Sequence, residues 1–277
     1  DGSYTSDFVF DKAEITTGKK PYVTLPGSYE ENNQVEELTV ILVDRNYNLT
    51  VELHYYIFLN KDIISRSAKF INTSEEKVLL DRFMSAQLDF ETSGWEFTTF
   101  HGAWAREMKR HDMTASICKI VNESYCGCSS NRANPFVMLS KKVTTEDHGD
   151  VYGFNLIYSG NHYEAVEVSA FGQTRIVTGI NPRSFQFHIA PGEAFEAPEA
   201  VMSYSKKGFN GLSQNMHTFV RECIVRGEWK KKPRPVLLNS WEAAYFDINE
   251  SKLLKLAKAG KETGIELFVM DDGWFGT

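Results

Sequence analysis

Apolar and polar positions alternate along most of this chain with the period of a β-sheet. Residues 38–43 and 49–59 are β-branched and aromatic runs separated by Asp44-Arg45-Asn46-Tyr47-Asn48, a hairpin-like connection. Within the second run Leu53, Tyr55 and Ile57 alternate with Glu52, His54 and Tyr56, the spacing expected of a strand with one buried face. Similar runs follow at 63–71, 78–88, 96–105, 136–143, 152–158, 163–171, 185–189 and 194–204. No long helical segment separates them, and no internal repeat is present. Such a series predicts a mainly β fold, a sandwich or two large stacked sheets, over residues 1–208.

The period then changes. Leu212, Met216, Phe219, Val220 and Cys223 fall close to helical spacing, so residues 209–232 are expected to hold a linking helix at about 212–226, closed by Pro233 and Pro235. Residues 236–239 read as a short strand. Asn249 suits the N-cap of a helix over 250–263 whose Leu253, Leu256, Ala257 and Gly260 share one face, and Gly264 suits its C-terminal cap. Residues 265–270 are mostly apolar, as a strand covered on both faces would be. Strand, helix and strand over 233–277 make one βαβ unit, which requires parallel pairing. Two parallel strands and one helix cannot cover both faces of a sheet, so this unit is expected to be the truncated start of a larger domain.

Composition narrows the functional classes. A formal net charge of −7 with no basic stripe argues against nucleic acid as a partner. The one cationic cluster, Lys230-Lys231-Lys232-Pro233-Arg234, reads as a solvated approach to a strand. No apolar run is long enough to span a membrane. Cys118, Cys126, Cys128 and Cys223 show no zinc spacing, because Cys126-Gly127-Cys128 has a single intervening residue and no matching second pair. Reduced thiols in a cytoplasmic protein are expected, with no metal and no cofactor. Asn-x-Ser/Thr triplets begin at Asn48, Asn72, Asn122 and Asn249, the last already explained as a cap.

In parallel α/β sheets, ligands bind beyond the carboxyl ends of the strands. Asn239-Ser240-Trp241-Glu242 follows the first strand of the βαβ unit, and Asp271-Asp272-Gly273-Trp274-Phe275-Gly276 follows the second. Carboxylates accept hydrogen bonds from vicinal hydroxyls and indole packs on the C–H face of a pyranose, so this pairing suits a sugar. The residues alone leave other readings open. Asp271-Asp272 can be a helix-capping loop paired with lysines, and Trp241 can be a core residue. Two acidic groups would repel a phosphate, and no His stands beside them to complete a metal site.

Residues 234–247 and 256–276, which carry these clusters, closely resemble the start of the barrel in α-galactosidases of glycoside hydrolase family 36. Upstream, Asp62 to Arg66, Gly102 with Trp104, Arg106 and Glu107, Ser129-Ser130 with Asn134-Pro135-Phe136, Pro191-Gly192-Glu193 and Pro198-Glu199 resemble family segments in the family's order. The resemblance implies a β-supersandwich followed by a (β/α)8 barrel. It also implies retaining hydrolysis of terminal α-galactosides such as melibiose and raffinose, and a homotetramer in which a neighbouring sandwich approaches the active site. Carried over by position, Trp241 lines the galactose pocket while Asp271 and Asp272 bond its hydroxyls. The nucleophile and the acid/base are expected downstream of Thr277, so the chain alone is expected to be inactive. Cys126-Gly127 stands where the family tends to have Arg-Gly. Two other functions remain open from the sequence: a non-catalytic carbohydrate-binding or oligomerisation sandwich, and an α-N-acetylgalactosaminidase.

Overall fold

The computed structural model describes residues 6–32, 34–129 and 132–275; Ser130 and Gly276, quoted above, lie outside them. Two compact units result, Asp1–Ile224 and Val225–Thr277.

The first unit opens with β1 (Val9–Thr17), β2 (Val35–Asp44), β3 (Leu49–Phe58), β4 (Ile63–Asn72), β5 (Val78–Leu80) and β6 (Met84–Phe90). It continues through β7 (Trp95–His101), β8 (Lys109–Thr114), β9 (Ile120–Glu123), β10 (Phe136–Lys141) and β11 (Val151–Leu156). β12 (His162–Val168), β13 (Thr174–Ile180), β14 (Phe187–Ile189), β15 (Ala194–Glu196), β16 (Ala200–Ser205) and helix α1 (Gly208–Phe219) complete it. Among the described residues a ten-stranded sheet runs β1-β2-β3-β4-β16-β11-β10-β7-β8, with β15 also on β4. A four-stranded sheet, β6-β13-β12-β9, and a β5–β14 pair accompany it.

The middle strands of the large sheet are covered on both sides. Val137, Leu139 and Phe154 on one face pack against Val166 and Ile176 of the small sheet, which makes the sandwich. Met138, Val151 and Val201 on the other face pack against Phe209, Leu212, Met216 and Phe219 of α1. The helix expected as a link is therefore a covering layer of this unit. It begins earlier than its apolar spacing suggested, and a π-turn over Val220–Ile224 carries Cys223 into the same core.

Strand β3 departs from its expected single buried face. Val51 and Leu53 on one face pack against the β5–β14 pair, whereas Tyr56 and Phe58 on the other are buried under α1. Ile57 is left 43% exposed. Coverage switches sides along the strand, so period alone could not name one inner face. The run 78–88 divides because Asp81-Arg82-Phe83 carries the chain from the β5–β14 pair into the small sheet. The run 194–204 divides at Pro198, which has no N–H for the ladder, although both pieces pair with β4. β1, β8, β9 and β13 lie outside the sequence-derived runs: β1 and β8 are edge strands with nearly every residue exposed, and β13 carries Thr and Arg among its apolar positions.

Two buried ionic clusters fasten the sandwich. The Glu199 carboxylate accepts from Ser28 N–H at 2.7 Å and Ser28 Oγ at 2.6 Å, and lies 3.3 Å from Lys19 Nζ. That ammonium also sits 4.4 Å from the rings of both Tyr22 and Tyr56. Burial pushes the Lys19 pKa down, against the attraction of Glu199. These contacts tie the segment between β1 and β2 to the start of β16. In the second cluster His162 Nδ1 is 2.8 Å from Glu164 Oε2 and Nε2 is 2.9 Å from the Ala133 carbonyl oxygen. Asn122 Nδ2 donates to the same carboxylate at 2.8 Å.

The second unit contains a 3-10 turn at Glu228–Lys230, β17 (Leu237–Asn239), a short helix α2 (Trp241–Ala244), α3 (Glu250–Glu262) and β18 (Leu267–Val269). The basic run is engaged locally: Lys232 and Arg234 lie over the Trp229 ring, at 4.9 and 5.1 Å. Asn249 caps α3, its side chain accepting from Lys252 N–H at 3.0 Å, and Gly264 takes φ 89° just beyond the helix. Leu253, Leu256, Ala257 and Gly260 share the inner face of α3, as their spacing required. β17 and β18 pair in parallel. Leu237 and Leu267 remain 49% and 42% exposed, in contrast to the expected double burial, because α3 supplies a single covering layer. Among the described residues no helix is long and apolar enough to cross a membrane.

Two outcomes follow. Leu212→Ala, at a site 1% exposed in the α1 core, is expected to destabilise the first unit by about 2–5 kcal/mol in denaturant unfolding. Burial disfavours the charged His162, but the hydrogen bond and charge of Glu164 outweigh it and leave its pKa raised above the ordinary 6.5. The folded pair thus keeps a proton that the unfolded chain loses. Stability is full below the unfolded value and declines as pH rises through the folded one. Unfolding midpoints measured upward from neutral pH should fall, and His162→Gln should flatten that fall.

Candidate sugar-binding site

The site residues proposed from sequence lie in the second unit, and the strand register brings them together. β17 and β18 align Leu237 with Leu267, Leu238 with Phe268 and Asn239 with Val269, so both carboxyl ends finish at one edge. The backbone pairing extends one step further, with Ser240 N–H donating to the Val269 carbonyl at 3.0 Å. Ser240 is fully buried there, and its Oγ accepts from Asp271 N–H at 3.1 Å.

Asn239 connects the two clusters. Its Oδ1 accepts from Trp241 N–H at 2.7 Å, and its Nδ2 donates to Asp271 Oδ2 at 2.6 Å. The second oxygen of Asp271 accepts from Asp272 N–H at 2.8 Å. Both oxygens of Asp271 are thus held in place, a charge-assisted arrangement that fixes the carboxylate plane. Among the described residues no hydrogen bond reaches the exposed Asp272 carboxylate. Its acceptor sites are open to a ligand.

The aromatic side of the site is built by α2. Trp241 is half-buried, and its ring meets Tyr245 at 5.2 Å and Phe246 at 5.1 Å, both edge-on. Tyr245 takes φ 47° to end the short helix, and Ala244 is the buried anchor. Gly273 takes φ 96°, and a Cβ there would stand 3.0 Å from Phe246 Cα, so the loop after Asp272 passes close over the α2 turn. Trp274 and Phe275 follow with rings 5.5 Å apart and exposed.

This geometry bears on the readings left open by the sequence. Asp271 bonds an asparagine amide, and among the described residues no lysine pairs with either aspartate. Trp241 packs on rings that face solvent, not within a closed core. Asn239 and Ser240 had no role assigned from sequence; their position at the strand end beside Trp241 was the signal, but only the register shows that they bridge to Asp271. Upstream, Trp104 sits on an exposed turn at 90% exposure, held where Ala103 and Arg106 exchange backbone hydrogen bonds.

Comparison with known proteins gives this arrangement a family. Residues 1–190 match the model of the glycosyl hydrolase family 36 N-terminal domain, and residues 194–277 match that of melibiase. The chain belongs to glycosyl hydrolase family 36. This family 36 chain is 41% identical, over 99% of its length, to alpha-galactosidase AgaA of Geobacillus stearothermophilus. It is 40% identical to alpha-galactosidase Mel36A of Lactobacillus acidophilus over its full length. The crystal structure of AgaB from Geobacillus stearothermophilus superposes with a TM-score of 0.95 at 41% identity, over 99% of this chain and 38% of that one. A variant of AgaA determined in complex with raffinose superposes at 0.96, with 40% identity and the same two coverages. The chain spans 38% of the length of the curated relatives AgaA and Mel36A.

Replacement of Asn239 tests the bridge. In Asn239→Ala the Trp241 amide loses its acceptor and Asp271 its donor. Amide hydrogen exchange at Trp241 should accelerate at least tenfold, about 1.4 kcal/mol or more of local opening, with the α3 amides unaffected.

Proposed function

We propose that this chain is the sandwich and the first barrel segment of a retaining α-galactosidase acting on terminal α-linked galactose, as in melibiose and raffinose. The observation that carries the reading is the Asn239 bridge, which sets an oriented carboxylate beside an indole at the shared end of two parallel strands. In this reading Trp241 packs against the C–H face of the sugar, and Asp271 and Asp272 accept hydrogen bonds from its hydroxyls. Raffinose bound by the AgaA variant supports the substrate class.

Retention requires two carboxyl groups about 5–5.5 Å apart on opposite sides of the scissile bond. Asp271 and Asp272 are adjacent in sequence and lie on one strand end, so they cannot straddle that bond. They bind, and the nucleophile and acid/base are assigned to the part of the relatives' length that this chain does not match. The same reading includes closure of the parallel strands into a (β/α)8 barrel, a homotetramer and a cytoplasmic setting. The solvent-facing Trp104 ring supports an interface on the sandwich.

The full-length protein should hydrolyse p-nitrophenyl α-galactoside and release galactose first as the α-anomer, while the isolated 277-residue chain shows no turnover above a blank. Asp272→Asn in the full-length protein should lower kcat/KM at least tenfold, about 1.4 kcal/mol. Unchanged kinetics would remove Asp272 from the site, and release of the β-anomer would exclude retention.

A further inference from the structure

The sandwich carries two thiols with no part in this chemistry. Cys126 and Cys128 are both exposed and both free, in the loop between β9 and β10. The Cys126 thiol donates to the Cys128 carbonyl oxygen at 3.5 Å, so its sulfur lies against the backbone of the second cysteine. Consecutive Cα atoms are about 3.8 Å apart, so one intervening residue keeps this pair within about 7 Å, and a bend brings it into the 4.4–6.8 Å range of disulfides. Gly127 makes that bend, at φ 92°, and a Cβ placed there meets nothing within 4 Å. The bend is a local backbone property and not the result of crowding.

The loop is anchored at its base. Gly127 N–H donates to Asn161 Oδ1 at 2.8 Å, and Ser129 N–H to the Ser159 carbonyl at 2.8 Å. Ser124 N–H donates to the His162 carbonyl at 3.1 Å, and its own carbonyl accepts from Asn181 Nδ2 at 3.2 Å. The buried Ser124 hydroxyl donates to the Cys128 carbonyl and lies 3.4 Å from Cys126 Sγ. The thiols thus ride on a fixed frame, which lowers the entropy lost on joining them.

We propose that Cys126 and Cys128 form a reversible dithiol–disulfide site that exchanges with small-molecule disulfides of the glutathione class. The Cys126 thiolate attacks one sulfur of the oxidised reagent and expels one thiolate, forming a mixed disulfide. Cys128 then gives its proton to solvent and attacks the Cys126 sulfur, which closes the ring and expels the second thiolate. Two electrons pass from the dithiol to the reagent, which leaves as two thiols. The contact with the Ser124 hydroxyl holds the Cys126 thiol below the ordinary range, while the contact with Cys126 holds Cys128 above it. Cys126 is therefore the attacking sulfur and Cys128 the resolving one. The usual redox pair has two residues between its cysteines; here a single glycine with a left-handed backbone turns the chain between them.

Trypsin provides a direct readout, because Lys119 and Arg132 enclose both thiols in the peptide 120–132 and leave Cys118 outside it. The full-length protein is equilibrated in buffers of rising oxidised-to-reduced glutathione ratio, alkylated and digested. The doubly alkylated peptide should give way to one that is unalkylated and lighter by two hydrogen atoms, at a ratio where Cys118 is still alkylated. Returning the sample to reduced glutathione should restore the first form. In Cys128→Ser, a glutathione adduct should persist at Cys126. A wild-type peptide that stays doubly alkylated at every ratio, or that accumulates glutathione adducts in place of the ring, overturns the proposal.

Discussion

Three aligned residue pairs, Leu237 with Leu267, Leu238 with Phe268 and Asn239 with Val269, set the positions of Asn239, Trp241 and Asp271 at the candidate site. Because β17 and β18 run the same way, their last residues arrive at one edge, and so do the polar side chains that follow. A slip of one residue would carry the Asn239 amide away from Asp271. Helix α3 holds that register: its Asn249 cap fixes where it starts, its four-residue inner face fixes which side meets the strands, and the turn at Gly264 fixes where β18 begins. The oriented carboxylate is a product of backbone geometry spread over some thirty residues, not of the Asp-Asp pair alone.

The sandwich obeys a different constraint. Its middle strands are buried on both faces, so each must find two partners, and α1 and the small sheet provide them. Several segments that carried the family resemblance act here as architecture. Glu199 of the Pro198-Glu199 pair is consumed by Ser28 and Lys19. The carbonyls of Asn134 and Pro135 accept from Asn122 Nδ2 and from Leu156 N–H, closing the small sheet's loop over β11. Such groups serve packing, and their presence alone says nothing about catalysis.

The sequence was most readable where a single rule applied. In the second unit, short elements with clear punctuation gave the βαβ order, the cap at Asn249 and the inner face of α3. In the sandwich, apolar runs located most strands but not their partners, because two sheets, a two-stranded pair and a helix compete for the same alternation. β3 shows the difficulty: Val51 and Phe58 are both buried, on opposite faces. Edge strand β8 was invisible for the converse reason, since it opens Lys109-Arg110-His111-Asp112 and packs only Met113 against the core. At the site, Trp241, Asp271 and Asp272 stood out by residue type. Asn239 did not, because its contribution is one local hydrogen bond and one across the register rather than a charge or a ring.

Strand β1 has a further consequence. All nine of its residues are exposed, and it ends the large sheet, so its outer rim offers unsatisfied amides and carbonyls to any extended segment that approaches. The offset between Phe10 and Lys12 interrupts that rim, and the charges of Asp11, Lys12 and Glu14 stud it. An incoming strand cannot zip along it without losing step at the offset. Among the described residues the large sheet stops at that irregular rim, where the offset keeps an added strand from pairing along its whole length.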